Sequence, residues 1–289
     1  MEDKESITIR KAVINQAINY IFEHIDEDIT VEDVAKYCSY SKYHLTRMFK
    51  EDMDEALYQF IKRVRLERSA WRLKVEKERS ITEISETYGY SSSNFATALK
   101  KHLDISPADY RRSSEQMVED SSFSNGMTLD DLDDAGSKIT VEYLAPFTVL
   151  YERKKGNYHN LSDEWCDFIE KYKYLATKDT LYIDCTIDDP SITDEDGCMY
   201  ELCQTVIPDH PVLKDHPEIL LHDFEGGKYA VYHFKGVPQL LFMVYQEIFC
   251  RWLSRTGNEL DERPIIDIYR KIEEDGYMEI DICFPLKTK

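Results

Sequence analysis

At 289 residues the chain has room for two domains with separate hydrophobic cores, so a single small module is not expected. Its net charge of -20 excludes a protein that binds nucleic acid along its whole length. The charge is unevenly placed: residues 1–115 hold 19 Lys and Arg against 21 Asp and Glu, residues 116–289 hold 17 against 35, and residues 36–112 are net positive at 16 against 11.

The N-terminal MEDKESITIR is charged and lacks the apolar core of a signal peptide, and no run of 18 apolar residues follows, so a soluble, cytoplasmic protein without a membrane partner is expected. Ile7 to Glu23 places Val13, Ile14, Ala17, Ile18, Ile21 and Phe22 at helical spacing. From Thr30 to Lys50, TVEDVAKYCSYSKYHLTRMFK predicts two short helices with a corner at Ser39, Tyr40 and Ser41. Thr30 and Asp33 have capping-box spacing, and Ser41 caps a second helix whose Leu45, Met48 and Phe49 turn inward. Lys42, Tyr43, His44, Thr46, Arg47 and Lys50 are left outward, cations and hydroxyls with an aromatic ring that suit phosphates and base edges in a major groove.

A solvated basic face would explain one such helix in isolation. The sequence repeats it, however. Ser80 to Lys100, SITEISETYGYSSSNFATALK, lies on the first segment with Ser80 at Thr30, Glu83 at Asp33, Ser91 at Ser41 and Phe95 at Leu45. Between the two, Ala56 to about Val75 predicts a long helix that buries Leu57, Phe60, Ile61, Val64 and Leu66 and leaves Arg63, Arg65, Arg68 and Arg72 for phosphate or solvent. Residues 113–137 lose periodicity and gain Ser, Asp and Gly, the composition of a linker.

Beyond Lys138 the pattern becomes strands rich in tyrosine. ITVEYLA, TVLYERKKG, a helix over 161–174, LYIDCTI and MYELCQTVIP are followed by ILLHDFE, KYAVYHFKG, a helix over 240–253, IIDIYRKI and MEIDICFP. That order is a duplicated strand-strand-helix-strand-strand unit, which predicts an antiparallel α+β domain with a groove where the halves meet. Matching the repeats on Pro208 and Pro285 puts Gln204 at the place of Asp281, an amide opposite a carboxylate, as suits one cation. The tyrosines supply aromatic faces for a cation, although most are expected to be strand packing. The seven cysteines form no CxxC pair and have no His at zinc spacing, so free thiols, no metal and no cofactor are expected.

With its two motifs, the connector ALYQFIKRVRLERSAWRL (56–73) and the ending ISPADYR (105–111), the first part resembles the AraC/XylS transcription regulators. The resemblance implies double-stranded DNA as partner, a first recognition helix over Lys42–Lys50, and a second from about Ser92 to Lys101 that presents Ser92, Ser93, Asn94, Thr97, Lys100 and Lys101. Ser39 and Asp54 stand where that family usually has Gly, Thr97 where a base-reading Arg is common, and the second turn reads one residue short, so the second helix is expected to read fewer bases. Contact with RNA polymerase is compatible with this.

Residues 139–287 resemble the GyrI-like effector-binding domain through YERKKGNYHNLSDEW (151–165), IDCTIDDPSIT (183–193), GGKYAVYHFKG (226–236) and IDICFP (280–285). That resemblance implies a groove for amphipathic, often cationic, aromatic compounds, with an acid four positions before the last proline, here Asp281 where Glu is usual. Tyr151, Tyr182, Tyr229 and Tyr269 are the candidate walls and Gln204 the candidate amide. The expected architecture is an all-α DNA-binding domain of two helix-turn-helix motifs joined by a long helix (8–112), a linker (113–137) and an α+β antiparallel effector domain of duplicated units (138–289). Two other classes compete for the second domain: a hydrolase using Glu201 or Asp281 with nearby tyrosines, and a protein-interaction module. No Ser-His-Asp order or metal motif favours the hydrolase.

Overall fold

The structure, a computed structural model, describes residues 4–120, 135–136, 138–156, 161–189, 191–216, 218–237, 240–241, 244–245, 249–273 and 277–288. The chain divides into two compact units, Met1–Ser113 and Ser114–Lys289.

The first unit is built of helices α1 (Lys4–Glu23), α2 (Val31–Tyr37), α3 (Lys42–Met53), α4 (Leu57–Val75), α5 (Ile81–Thr87), α6 (Ser92–Leu103) and α7 (Pro107–Asp120). Helices α2 and α5 begin with complete capping boxes, Thr30 with Asp33 and Ser80 with Glu83, which satisfy amides that a helix start otherwise leaves without partners. Ser41 and Ser91 cap α3 and α6 in the same way. Leu45 and Phe49 of α3, Phe60 of α4, Ile84 of α5 and Phe95 and Leu99 of α6 are fully buried, each contributing roughly 1.5–3 kcal/mol to the helical core.

The two helix pairs match to the residue. Each is joined by four residues, Cys38 to Ser41 and Tyr88 to Ser91, so the two turns are equal in length, as the gapless overlay of the two segments predicts, and the second is not one residue short. Ser39 (φ 59°) and Gly89 (φ 75°) occupy the same left-handed position, and Asp54 (φ 56°) and Asp104 (φ 57°) end α3 and α6 alike.

Three of the four connector arginines are engaged within this unit. Arg65 donates to the carbonyls of Ile25, Glu27 and Ile29, Arg63 pairs with Glu55 and Glu67, and Arg72, 2% exposed, pairs with Glu76 and donates to the Tyr88 hydroxyl. They fasten the helices rather than wait for phosphate. A second departure lies at the domain end. Ser106 and Asp109 cap α7, Pro107 starts it, and with no Gly or Pro after that it runs to Asp120, so 113–120 is helix where a linker was expected. Residues 121–134 of that expected linker lie outside the described ones.

The second unit contains strands β1 (Thr140–Leu144), β2 (Phe147–Lys155), β3 (Tyr182–Thr186), β4 (Met199–Thr205), β5 (Leu220–Phe224), β6 (Gly227–Gly236), β7 (Ile265–Ile272) and β8 (Met278–Pro285), with helices α8 (Leu161–Tyr172), α9 (Pro211–Asp215) and α10 (Phe249–Thr256). The strands form one antiparallel sheet in the order β1-β6-β8-β7-β3-β4-β2-β5. With β1–β4 laid on β5–β8 that order reads alike from either edge, and β3 and β7 meet at its centre. The helix predicted over 240–253 lies partly outside the described residues.

Strand alternation divides the side chains between two faces. One face carries helices α8 and α10: Trp165 and Phe168 pack with Leu150, Tyr200 and Leu202, and Phe249 stacks on Phe284 at 3.8 Å. The other is an apolar layer of Val149, Tyr151, Ile183, Cys185, Cys203, Tyr229, Val231, Ile266, Ile268 and Cys283. The six cysteines whose side chains are described are free.

Candidate functional site

The outward face of α3 is the first candidate. Lys42, Tyr43, His44, Arg47 and Lys50 are exposed, Tyr43 at 78%, and Thr46 is half-buried. Lys42 is tied to Glu32, and Arg47 lies 3.8 Å from Glu51, an exposed i,i+4 pair weak enough for a phosphate or a base to displace. On α6, Ser92, Ser93, Asn94, Thr97, Lys100 and Lys101 are likewise exposed. Their hydroxyls are partly used at home: Thr97 donates to the Ser93 carbonyl at 2.9 Å, and Ser92 lies 3.2 Å from Thr82. Helix α3 therefore presents more cationic and aromatic side chains, and α6 hydroxyls that are partly used within the chain.

The second candidate lies at the centre of the sheet, on the helix-bearing face. Asp184 of β3 stands directly across from Asp267 of β7, and one pair further along that face Tyr182 stands across from Tyr269. Both acids are only 4% exposed. Asp184 Oδ1 and Asp267 Oδ1 have no hydrogen-bond partner, and neither acid has an ion-pair partner among the described residues. Tyr245 donates to Asp267 Oδ2. Burial pushes the Asp267 carboxyl up to about 7, against the Tyr245 bond, and pushes Asp184 well above the usual carboxylate range, with the charges of Asp267 and Glu201 adding to the effect.

Aromatic groups surround this pair. Trp165 of α8 meets Tyr269 edge-on at 5.3 Å and Tyr182 at 6.1 Å. Tyr182 and Tyr269 are half-buried where the acids are buried, as are Thr186 and Ile265 on the other side of the acids. Gln204, across from Tyr182, is fully buried; its amide lies 3.5 Å from the Tyr172 carbonyl and its Oε1 has no partner among the described residues.

The six residues expected to form the groove thus divide between the two faces. Gln204, Tyr182 and Tyr269 share the helix-bearing face, whereas Asp281, Tyr151 and Tyr229 lie on the other. Asp281 is already neutralised: Arg270 Nε and His233 Nδ1 each approach it at 2.6 Å. Arg263 lies over the Tyr229 ring and Arg153 over the Tyr151 ring, so those faces hold cations of the chain itself. Glu201, the other candidate acid, is in a buried pair with Arg153 at 2.9 Å.

The division between the faces has a geometric cause. Asp184 faces Leu202 on β4 as Asp267 faces Ile282 on β8, so Leu202 corresponds to Ile282, Gln204 to Phe284 and Glu201 to Asp281. Matching on the prolines instead shifts the halves by three positions, and an odd shift exchanges the faces. The missed acids did leave a signal. LYIDCTI and IIDIY each bury one Asp amid a strand's apolar residues, the same dipeptide twice.

Residues 34–113 match the family described as a helix-turn-helix domain, and residues 137–287, more than half of the chain, match the GyrI-like small molecule binding domain. Regulatory protein SoxS of Escherichia coli K12 is 36% identical over 100 residues, which are 34% of this chain and 92% of that protein. The chain belongs to the AraC/XylS family of regulators and carries a C-terminal GyrI-like domain. The transcriptional regulator Rob of Salmonella typhimurium is 36% identical over 104 residues; these are 36% of each protein, so the match covers little over a third of Rob's length. A solved C-terminal domain of AraT, a response regulator from Geobacillus stearothermophilus, has 34% identity and a TM-score of 0.33 over 35% of this chain and 84% of its own. As a member of this family the protein is a DNA-binding transcription regulator with a small-molecule binding domain. No described helix is long and apolar enough to cross a membrane.

Proposed function

We propose that this regulator reads double-stranded DNA with α3 and α6, the recognition helices of two helix-turn-helix motifs joined by α4, and that an aromatic organic cation bound at Asp184 and Asp267 sets its affinity for DNA. In this reading residues 8–112 form the DNA-binding domain, and residues 138–289 form an effector domain of two duplicated units whose shared axis passes between β3 and β7. The observation that supports it most is the acid pair: two buried carboxylates directly across from each other, with two oxygens lacking partners, beside Trp165, Tyr182 and Tyr269. A dry site of this kind strengthens attraction for a cation, and aromatic faces add roughly 0.5–2 kcal/mol each. In this reading the aryl group packs against Tyr182, Tyr269 and Trp165. Glu201 and Asp281 are held in ion pairs, so no catalytic role is assigned to them.

A ligand shifts DNA binding only if it favours one of two states of the protein. The test is the affinity of the full chain for a DNA fragment obtained by binding selection, measured with and without biphenyl-4-yl-trimethylammonium. A change in affinity that disappears in Asp184→Asn and Asp267→Asn, with ligand-free DNA binding intact, is expected. Equal ligand response in the wild type and both variants would remove the acid pair from the reading.

A further inference from the structure

We infer that the acid pair discriminates among aromatic cations, selecting those that carry N–H donors, an arylamidinium or arylguanidinium, over quaternary cations of the same size. The inference rests on the reading that Asp184 and Asp267 hold the ligand, and it names the chemistry of the group they take. Three acceptors on this face are buried and, among the described residues, without hydrogen-bond partners: Asp184 Oδ1, Asp267 Oδ1 and Gln204 Oε1. Each unmet acceptor in a buried place costs stability, and more when it is charged. Charge alone does not meet that need. A trimethylammonium or tetraarylphosphonium group brings a positive charge but no donor, and leaves all three oxygens as they are.

A planar amidinium differs in the respect that matters. Its N–H bonds diverge to both sides of one carbon, and carboxylates on directly opposed strand residues stem from Cβ atoms about 4.5–5.5 Å apart, a span that one such group can bridge. The flat cation also stacks on tyrosine and sheds water more readily than a primary ammonium does. The adjoining tyrosine row then receives the aryl part. Among the described residues no cation of the chain competes for the acids, since Arg153 and Arg270 lie on the far face with carboxylate partners of their own, and Tyr245 takes only Asp267 Oδ2.

Titration calorimetry on the full chain decides this with three probes of one shape: biphenyl-4-carboxamidinium, biphenyl-4-yl-trimethylammonium and neutral biphenyl-4-carboxamide. The amidinium is expected to bind at least tenfold more tightly than the trimethylammonium compound, and Asp184→Asn and Asp267→Asn are each expected to remove most of that advantage. Asp281→Asn, with its acid on the far face, should retain it; retention also shows that a change in net charge is not the cause. Equal or tighter binding of the trimethylammonium compound, with both cations bound better than the carboxamide, overturns the donor preference and leaves the cation site standing. Should neither cation bind better than the carboxamide, the cation site itself fails and the preference with it.

Discussion

Asp184 and Asp267 face each other across the β3–β7 pair at the centre of the sheet, both buried, with no cation of the chain between them among the described residues. Two like charges so placed in a low-dielectric interior repel, and burial leaves them little solvent screening. Folding alone therefore favours protonated acids at this point. The arrangement costs stability at neutral pH, and a bound cation, as proposed above, would relieve it.

The first prediction concerns pH. The Asp267 carboxyl is raised to about 7, whereas an unfolded Asp titrates near 4, so between these values the folded state holds a proton that the unfolded state has released. Its stabilising contribution is complete below about pH 4 and is lost as pH rises through about 7, a swing on the order of 2–4 kcal/mol. Asp267→Asn keeps the shape and an acceptor for Tyr245, so it should melt higher than the wild type at pH 8, with the gap closing towards pH 4. A gap that stays constant with pH, read by thermal melting, would mean that Asp267 is not titrating in the folded state.

The second concerns the turns. Ser39 sits at φ 59°, a conformation that costs an L residue about 1–2 kcal/mol and glycine almost nothing, and the matching position of the second turn is Gly89. Ser39→Gly should stabilise the first unit by about 0.5–1 kcal/mol after the extra freedom of glycine in the unfolded chain is counted. Asp54→Gly should gain less, because Asp tolerates this region better. Urea unfolding of the single variants checks both, and a loss of stability in Ser39→Gly would point to a role for its side chain.

The helical unit was legible because its signals are local. Thr30 and Asp33, Ser41, and Leu45 with Phe49 specify cap and face within one or two turns, and each recurs with the same spacing from Ser80 to Leu99. The arginines were not legible: whether Arg65 meets phosphate or the carbonyls of Ile25 and Ile29 depends on how α4 crosses the end of α1. The candidate ligand site was half legible for a similar reason. Tyr182, Tyr269 and Gln204 were singled out for their chemistry, but the acid that joins them depends on strand register, and one odd shift carried Asp281 in and left Asp184 and Asp267 out.

The third prediction ranks the two recognition helices. Arg47 is exposed on α3 with only a 3.8 Å approach to Glu51, so Arg47→Ala should weaken binding to a selected DNA fragment by about 1–3 kcal/mol, the scale of one base contact. Thr97→Ala should cost less, since the hydroxyl already donates to the Ser93 carbonyl. Fluorescence anisotropy at fixed salt measures both, and the reverse order would make α6 the principal reader.

Arg65 supplies the fourth. Its guanidinium holds three carbonyls of the α1–α2 connection, so Arg65→Ala should lower the stability of the first unit by about 1.5–3 kcal/mol. An arginine on phosphate would instead show in the salt dependence of DNA binding, whose slope becomes shallower by about one for each phosphate left without its cation. The slope is expected to be unchanged when both proteins are compared at a temperature where each is folded.

The last prediction separates the two faces of the sheet. Asp281 is 8% exposed and is held by Arg270 and His233 at 2.6 Å each, and Ile280 and Ile282 beside it on β8 point towards α10 while Asp281 points away. Asp281→Asn therefore removes the partner of Arg270 without touching the acid pair. Arg270 is half-exposed and can regain water, so the loss in stability should be modest, about 1–2 kcal/mol rather than the 3–5 kcal/mol of a fully buried pair. Affinity for biphenyl-4-yl-trimethylammonium should stay within about twofold of the wild type in Asp281→Asn and fall at least tenfold in Asp267→Asn. If the two variants lose affinity equally, the ligand senses charge on both faces, and the division of the sheet into a ligand face and a structural face does not hold.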